Sequence, residues 1–229
     1  MYWLSRKTIY MLIELTRAAL MAEAQLFCQQ ESVYPNPKLY GVTDGKAVGT
    51  FVEQKFKKHL TVKYSFSLGS SATGIDLPDE PISTDIKVTS LKQPQSSCPF
   101  RSARQKIYGL GYNLLLFVYD KVDDPISKTA LLQFVSCAFV DRTRTADYST
   151  TYRLRQLIDD GANIDDIGAY LLDRNLPADE LQIAQLAQKI AQNPPAQGYL
   201  TMSNALQWRL QYSRVVSLPA SVEGITKIV

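Results

Sequence analysis

The residues best suited to chemistry are two aspartates and a lysine in the first half of the chain. Asp76 is followed nine residues later by Asp85, and Lys87 comes two residues after that. Alternate side chains of a strand share one face, so Asp85 and Lys87 should point the same way while Ile86 points into the core. If the strands that carry the two aspartates are neighbours, both carboxylates and the ammonium meet at one end of a sheet.

Two carboxylates placed this close together predict a divalent cation between them. Like charges a few ångströms apart repel each other, and all-oxygen ligation suits Mg²⁺. A lysine beside such a metal could position or activate a water molecule, or hold a phosphate oxygen. Together, metal, lysine and water supply the Lewis acid, the charge stabilisation and the nucleophile that hydrolysis of a phosphodiester bond needs.

This pattern resembles the signature of the PD-(D/E)xK nuclease superfamily. The matching segments are Ile75-Asp76-Leu77-Pro78 and Asp85-Ile86-Lys87, in a strand–turn–strand context. Ile75 stands where the signature has proline, and Asp85 takes the position that is Asp or Glu. Upstream, Gly49-Thr50-Phe51-Val52-Glu53 is similar to the Gly-x-x-x-Glu helix of several type II restriction endonucleases. The resemblance covers about residues 45–120, roughly a third of the chain.

The resemblance implies a restriction-endonuclease-like core and a Mg²⁺-dependent deoxyribonuclease. It implies that Asp76 and Asp85 bind the metal, with the Ile86 carbonyl as a further ligand. Lys87 would orient the attacking water or help to deprotonate it, and Glu53 would be a supporting carboxylate. The expected reaction is phosphodiester hydrolysis in double-stranded DNA, site-specific as in type II restriction enzymes. A double-strand cut needs two active sites, so we expect a homodimer.

A polar segment directly after these residues supplies candidate DNA contacts. Residues 92–106 are rich in Gln, Arg, Lys and Ser. Gln and Arg are the usual readers of base edges, whereas Lys, Arg and Ser contact phosphates. The candidates from this segment are Lys92, Gln93, Gln95, Arg101 and Arg104.

Two other interpretations stay open from the residues alone. Asp85 and Lys87 could lie on the solvated face of an edge strand. The chain would then be a catalytically silent relative, either DNA-binding or structural. It could also be a repair or recombination nuclease that uses the same chemistry on ends or junctions. Divalent-metal binding separates an active enzyme from a silent one, and discrete DNA fragments separate a site-specific enzyme from a repair nuclease.

The elements that must position these residues alternate between helices and strands. Hydrophobic periodicity predicts helices over 5–29, 46–60, 101–110, 152–160, 164–174, 177–192 and 202–214. Strands are predicted over 60–68, 75–77, 83–90, 112–119 and 131–140, with a polar loop over 93–100. This order predicts an α/β (α+β) fold, in which a mixed central sheet is flanked by helices and the C-terminal region is mainly helical.

Composition and charge fit one globular domain over residues 1–229, with a catalytic core at about 45–141 and the helical region at about 145–229. The 229 residues are 45% hydrophobic and 21% charged, which argues against a disordered chain. The net charge of +3 permits a nucleic-acid partner without requiring one. Three cysteines without a CxxC pair argue against a disulfide scaffold or zinc knuckle. Because Glu14 and Arg17 interrupt the N-terminal apolar run, we expect no signal peptide, no membrane association and a cytoplasmic protein.

Overall fold

The described chain alternates helices with strands around one long hairpin. The computed structural model describes residues 12–69, 74–97, 102–203 and 209–229. Its strands are β1 (Ile13–Glu14), β2 (Tyr64–Ser65), β3 (Thr84–Ser90), β4 (Gln95–Ser97), β5 (Asn113–Asp124), β6 (Thr129–Val140), β7 (Thr201–Met202), β8 (Arg209–Gln211) and β9 (Ile225–Lys227). Its α-helices are α1 (Arg17–Ser32), α2 (Gly45–Thr61), α3 (Arg104–Tyr108), α4 (Tyr148–Asp159), α5 (Ile164–Asp173), α6 (Glu180–Gln192) and α7 (Ser213–Val216).

A mixed sheet with the strand order β3-β5-β6-β9 lies at the centre. β3 runs parallel to β5, and the other neighbouring strands are antiparallel. The first half of β5 is an unbroken apolar run from Leu114 to Val118, and each of these side chains is at most 1% exposed. A continuous run of this kind is typical of a strand covered on both faces. β3 is at the edge of this sheet, so one side of its backbone stays open for other partners.

Helices α1 and α2 cover one face of the sheet. Phe27 of α1, Phe56 of α2 and Phe117 of β5 meet edge to face, with ring centroids 5.0 to 5.8 Å apart. Such pairs contribute about 0.5–1.5 kcal/mol each beyond the burial of apolar area. Ile86 joins this cluster, as the alternation along β3 predicts. The predicted fold class, a mixed sheet flanked by helices, is therefore confirmed.

The other face carries a small antiparallel sheet and a helical layer. The strands β4, β8 and β7 are paired in that order, and Leu210 and Tyr212 pack from this small sheet onto β5. Helices α3 to α6 form a separate apolar cluster beside it, built around Ile107, Leu154 and Ile183. Of the helices in the described parts of the chain, none is both long and apolar enough to cross a bilayer.

Helix α2 is shaped by its sequence to lie against the edge strand. The side chain of Asp44 caps its first turn by accepting a hydrogen bond from the amide of Lys46 at 2.9 Å. Val48, Val52 and Phe56 form part of a buried stripe on the sheet side. A Cβ atom at Gly49 would lie 3.4 Å from the carbonyl oxygen of Val88, an ordinary van der Waals contact, so α2 packs directly against β3 at this position. The helix predicted over 46–60 is confirmed as α2, which lies against the edge strand β3.

A buried carboxylate fixes α1 against α2. Glu23 of α1 lies 2.6 Å from His59 Nε2 and accepts hydrogen bonds from Lys63 at 2.9 Å and from Tyr64 at 3.0 Å. Burial acts to raise the pKa of Glu23, but hydrogen bonds from Lys63 and His59 outweigh it and hold the pKa below its usual value. The single histidine of the chain is thus part of a structural network at the end of α2.

The N-terminal third differs from the sequence prediction in three places. Helix α1 begins only at Arg17, because the Thr16 side chain caps it and residues 12–16 are extended. The helix predicted from residue 5 is therefore wrong over 12–16, and residues 5–11 lie outside the described part. The strand predicted over 60–68 is reduced to β2, because α2 continues to Thr61. The strand predicted over 75–77 is reduced to one bridge between Leu77 and Thr84.

The C-terminal helices predicted over 152–160, 164–174 and 177–192 are present as α4, α5 and α6. The helix predicted over 202–214 is wrong in its described parts, which contain β7, β8 and the first residues of α7. The polar loop predicted over 93–100 contains β4, which pairs with β8. Leu210 and Tyr212 are buried, whereas Arg209 and Gln211 are exposed. Burial over 209–212 therefore alternates with a period of two residues, as in a strand. Over such a short run, the two periods are hard to separate.

Candidate active site

The two aspartates meet because the segment before β3 folds back along its open edge. Leu77 and Thr84 exchange two backbone hydrogen bonds of 2.9 Å. This bridge places Asp76 beside Ile86, whose backbone amide donates to Asp76 Oδ2 at 2.8 Å. The condition on which the two carboxylates can meet, that the segments carrying Asp76 and Asp85 are neighbours, is met in the structure.

Asp85 is a buried carboxyl group paired with a lysine. Its residue is 4% exposed, and Lys87 Nζ lies 2.7 Å from Asp85 Oδ2. Burial raises the pKa of Asp85 to about 7 even though the charge of Lys87 lowers it, and a hydrogen bond with Asp76 raises it further. Asp85 is therefore not on a solvated face, as the edge-strand alternative requires.

The two carboxyl groups respond to each other in opposite directions. Burial acts to raise the pKa of Asp76, but hydrogen bonds with Asp85 and Lys57 outweigh it and hold the pKa below its usual value. Asp76 is thus the more acidic member of the pair, and Asp85 is the member that still binds a proton as the pH approaches 7. Carboxyl groups whose pKa values are pushed apart are typical of functional sites.

One oxygen of Asp85 is placed as a ligand would be. Asp85 Oδ2 is buried and accepts no hydrogen bond of good geometry from the described residues, although the Lys87 ammonium lies close to it. A buried acceptor without a hydrogen bond is costly unless another group takes its lone pairs. A divalent cation that approaches along the open edge of β3 would satisfy it.

Backbone geometry adds a third oxygen. The amide and carbonyl of one residue in a strand point to the same side. Because the amide of Ile86 donates outward to Asp76, the carbonyl of Ile86 also points to the open edge. Asp76, Asp85 and the Ile86 carbonyl therefore face one position.

This oxygen set fits Mg²⁺. Over residues 12–69, 74–97, 102–203 and 209–229, no three or more His, Cys, Asp or Glu side chains are grouped to hold a metal. Mg²⁺ does not need such a cage, because it usually binds one or two carboxylates and keeps water or phosphate oxygens for its other positions.

Lys57 is a site residue that the sequence analysis misses. Its ammonium donates to Asp76 Oδ1 at 2.5 Å and to Glu53 Oε1 at 2.7 Å. Burial acts to lower the pKa of Lys57, but the hydrogen bonds to Asp76 and Glu53 outweigh it and raise the pKa. Glu53 is thus connected to the aspartates through a lysine of its own helix. The signal in the sequence is the i, i+4 spacing of Glu53 and Lys57, which the lysine-rich end of α2 obscures.

A cleft of about 860 Å³ lies between helix α2 and the open edge of β3. Glu53, Ile86 and Lys87 line one end, and the edge strand β3 forms its floor. Three of the candidate DNA contacts also line it, namely Lys92, Gln93 and Gln95. Arg104 lies on α3 beside Tyr108 and is not among the lining residues, and Arg101 lies outside the described residues.

Comparison with known proteins decides the family. The family described as type II restriction enzyme NspV matches residues 14–227. The chain is 52% identical over 214 residues to the type II restriction enzyme NspV of Nostoc sp. (strain ATCC 29411 / PCC 7524), which covers 93% of this chain and 96% of the relative. The chain belongs to the NspV family of type II restriction enzymes.

Membership of the NspV family confirms the enzyme class inferred from the residues, a deoxyribonuclease of the type II restriction group. The matched range contains the two aspartates, Lys87, Glu53 and Lys57. No solved structure matches this NspV-family chain. The geometry of the aspartate–lysine site therefore comes from the present structure.

Lys57→Met should destabilise the metal-free NspV-family enzyme and make its stability more dependent on metal. Breaking a buried ion pair costs 3–5 kcal/mol, and about 2 kcal/mol is expected here because the side chain is 18% exposed. Without the ammonium, Asp76 and Glu53 repel each other until a divalent cation neutralises them. Thermal unfolding with and without Mg²⁺ measures both effects.

Lys58→Met is the matched control for Lys57→Met, since Lys58 is the next residue of α2 and points to solvent. The control should unfold like the wild type and show the same shift with Mg²⁺. Equal behaviour of the two variants would show that Lys57 does not hold the carboxylates together.

Proposed function

We propose that this chain is a Mg²⁺-dependent endonuclease that cuts double-stranded DNA at a specific sequence. Its family membership supports cleavage of DNA at specific sites. The observation that carries the metal dependence is Asp85, a buried carboxyl group beside Asp76, whose Oδ2 accepts no hydrogen bond of good geometry from the described residues and which precedes the cleft-lining residues Ile86 and Lys87 on β3.

Asp76, Asp85 and the carbonyl of Ile86 would hold the metal. When bound, Mg²⁺ supplies a Lewis acid for the phosphate and lowers the pKa of a coordinated water molecule. Asp76 and Asp85 would both be ionised with the cation bound, because metal ligands are deprotonated. Lys57 and the amide of Ile86 fix the orientation of Asp76.

Lys87 is the residue that acts on the reacting groups. It is held at 2.7 Å from Asp85, on the same face of β3. An ammonium group has three donors, so it can contact Asp85 and a phosphate oxygen or the attacking water together. From that position Lys87 orients the water and stabilises the negative charge that develops on the phosphate. Glu53 supports the site by holding Lys57.

The cleft is suited to a DNA backbone. Its lining includes Lys46, Lys92 and Arg209 in addition to Lys87, while Lys121 is paired with Asp123, which also lines the cleft. Cations in a groove neutralise phosphates and release counterions, which drives binding of DNA at low salt. We assign Lys92 to a phosphate and Gln93 and Gln95 to the base edges or the sugar-phosphate backbone.

The proposal includes a homodimer in the cytoplasm. A cut through both strands needs two active sites, and two-fold symmetry of the enzyme would match a target that reads alike on both strands. Cytoplasmic DNA is the substrate that a type II restriction enzyme meets in a cell.

The test is digestion of a long unmethylated duplex at low salt, with Mg²⁺ and with a chelator. We expect discrete fragments that require the metal, and mapping of their ends gives the target sequence. A metal-dependent smear would refute sequence specificity but keep the active site. Absence of cleavage, with no effect of Mg²⁺ on thermal stability, would refute the proposal.

A further inference from the structure

The far wall of the cleft is a short antiparallel ribbon made by β4 and β8. Gln95 is opposite Gln211, Ser96 is opposite Leu210, and Ser97 is opposite Arg209. Paired residues of antiparallel strands have their side chains on the same face. One face of the ribbon therefore carries two glutamines, a serine and an arginine, and the other carries Ser96 and Leu210.

The polar face is the one that belongs to the cleft. Leu210 is buried against β5, so the opposite face is turned outward. Ser97, Arg209 and Gln211 are exposed, and Gln95 is half-buried. Gln95, Ser97 and Arg209 line the cleft together with Lys87 and Glu53. The ribbon thus faces the same space as Lys87 and Glu53, while Gln211 lies on the same polar face outside the residues that line the cleft.

One side chain attaches the ribbon to the strand that carries the site. The hydroxyl of Thr89 in β3 lies 3.1 Å from the carbonyl oxygens of both Gln93 and Gln95 and shares its one proton between them. The hydroxyl also accepts a hydrogen bond from the amide of Gln95 at 3.0 Å. Asp85, Lys87 and Thr89 alternate along β3, so the same face of one strand holds the reacting groups and the ribbon.

We propose that the β4–β8 ribbon is the base-reading element of this enzyme, with Arg209 bound to a guanine and Gln95 and Gln211 each bound to an adenine. The inference rests on the proposed function, because it assumes that duplex DNA occupies the cleft. It assigns sequence discrimination to residues of β8 that the sequence pattern places in a helix.

The chemistry of these side chains sets the bases. The major groove admits a two-stranded ribbon, Arg binds guanine O6 and N7 with two hydrogen bonds, and Gln binds adenine N6 and N7 in the same way. Residues two apart in a strand lie about 6.8 Å apart, which is about two base-pair steps of 3.4 Å. Arg209 and Gln211 should therefore read base pairs about two steps apart in the target.

The experiment compares Arg209→Ala and Arg209→Lys with the wild type on the mapped target and on duplexes changed at one base pair. For Arg209→Ala we expect cleavage of the target to fall about 5- to 150-fold, the loss of one bidentate base contact. Cleavage of duplexes that lack the relevant guanine should hardly change, so discrimination at that single base pair collapses. Arg209→Lys keeps the charge but not the planar fork, so it should lose the same discrimination.

Base analogues test the contact from the DNA side. Replacing the relevant guanine by 7-deazaguanine removes the N7 acceptor, which should slow the wild type and leave Arg209→Ala unaffected. Arg153→Ala is the matched control, because it removes an exposed arginine of α4 that does not line the cleft. It should discriminate among the duplexes as the wild type does.

Each of the following outcomes would overturn the inference. Wild-type discrimination in both Arg209 variants would exclude a base contact. A uniform loss of binding on all duplexes, with a smaller salt dependence, would make Arg209 a phosphate contact. If the wild type cut no DNA, the proposed function itself would be refuted. This outcome is seen with the wild type alone, so it is not confused with a failure of the Arg209 assignment. Circular dichroism of each variant separates loss of fold from loss of contact.

Discussion

Asp85→Asn should lower the rate of DNA cleavage by about 10³-fold or more. The amide keeps the size of the side chain but removes an anionic oxygen from the proposed metal site. A bound metal supplies several kcal/mol of transition-state stabilisation, and about 4 kcal/mol corresponds to about 10³-fold in rate. Asp85→Ala removes the whole carboxyl group and should show the same loss with the fold retained. Single-turnover cleavage of the mapped target at saturating Mg²⁺ measures the effect.

The same substitution should stabilise the metal-free protein, and the gain should depend on pH. The pKa of Asp85 is raised by burial to about 7, whereas an unfolded chain has a value of about 3.9. Between these values the folded state binds more protons than the unfolded state, so the free energy of unfolding of the wild type falls as pH rises. Asn carries no charge, so its stabilising effect should be largest above pH 7 and vanish below about pH 4.

Asp173→Asn is the control, because it makes the same change at an exposed position near the end of α5. It should leave both cleavage and the pH dependence of stability unaltered. An Asp85→Asn protein that cuts at the normal rate would remove Asp85 from the active site. If Asp85→Asn lost cleavage but kept wild-type stability at pH 8, the carboxyl group of Asp85 would not be held in its protonated form in the wild type.

The central part of the site follows from short-range rules. Alternation along one strand is enough to put Asp85 and Lys87 on one face and Ile86 in the core, and the structure has this arrangement. The apolar run of β5 is long and unbroken, so its buried position is also readable from the sequence. Helix α2 has a capping aspartate and an apolar stripe with helical period, and both favour the same element.

The parts that could not be predicted depend on contacts between distant segments. Lys57 is one of several lysines near the end of α2, and only the fold-back of Asp76 onto β3 distinguishes it from its neighbours. β4 and β8 are each three residues long, and their pairing joins positions 95–97 to 209–211. A three-residue strand has too few alternations to be separated from a helix by period alone. The ribbon that we assign to base reading is therefore visible only in the folded chain.

Lys87→Gln should lower cleavage by about 10²- to 10⁴-fold, the range for a side chain that positions or moves a proton in the transition state. Two effects contribute at neutral pH. Gln cannot stabilise the charge that develops on the phosphate. The positive charge of Lys87 also lowers the pKa of Asp85, so its removal should raise that pKa further and weaken metal binding.

Measurements at two pH values separate these contributions. At pH 9 and saturating Mg²⁺, Asp85 is ionised in both proteins, so the remaining loss of rate belongs to the chemical step. We expect at least about 10²-fold to remain there, while calorimetric titration with Mn²⁺ shows metal affinity close to that of the wild type. Lys58→Gln makes the same charge change on the solvent side of α2 and should cut normally. If Lys87→Gln recovered fully at pH 9, Lys87 would act on protonation, through Asp85 or through the attacking water, and not by stabilising the charge on the phosphate, because a higher pH cannot restore a missing positive charge.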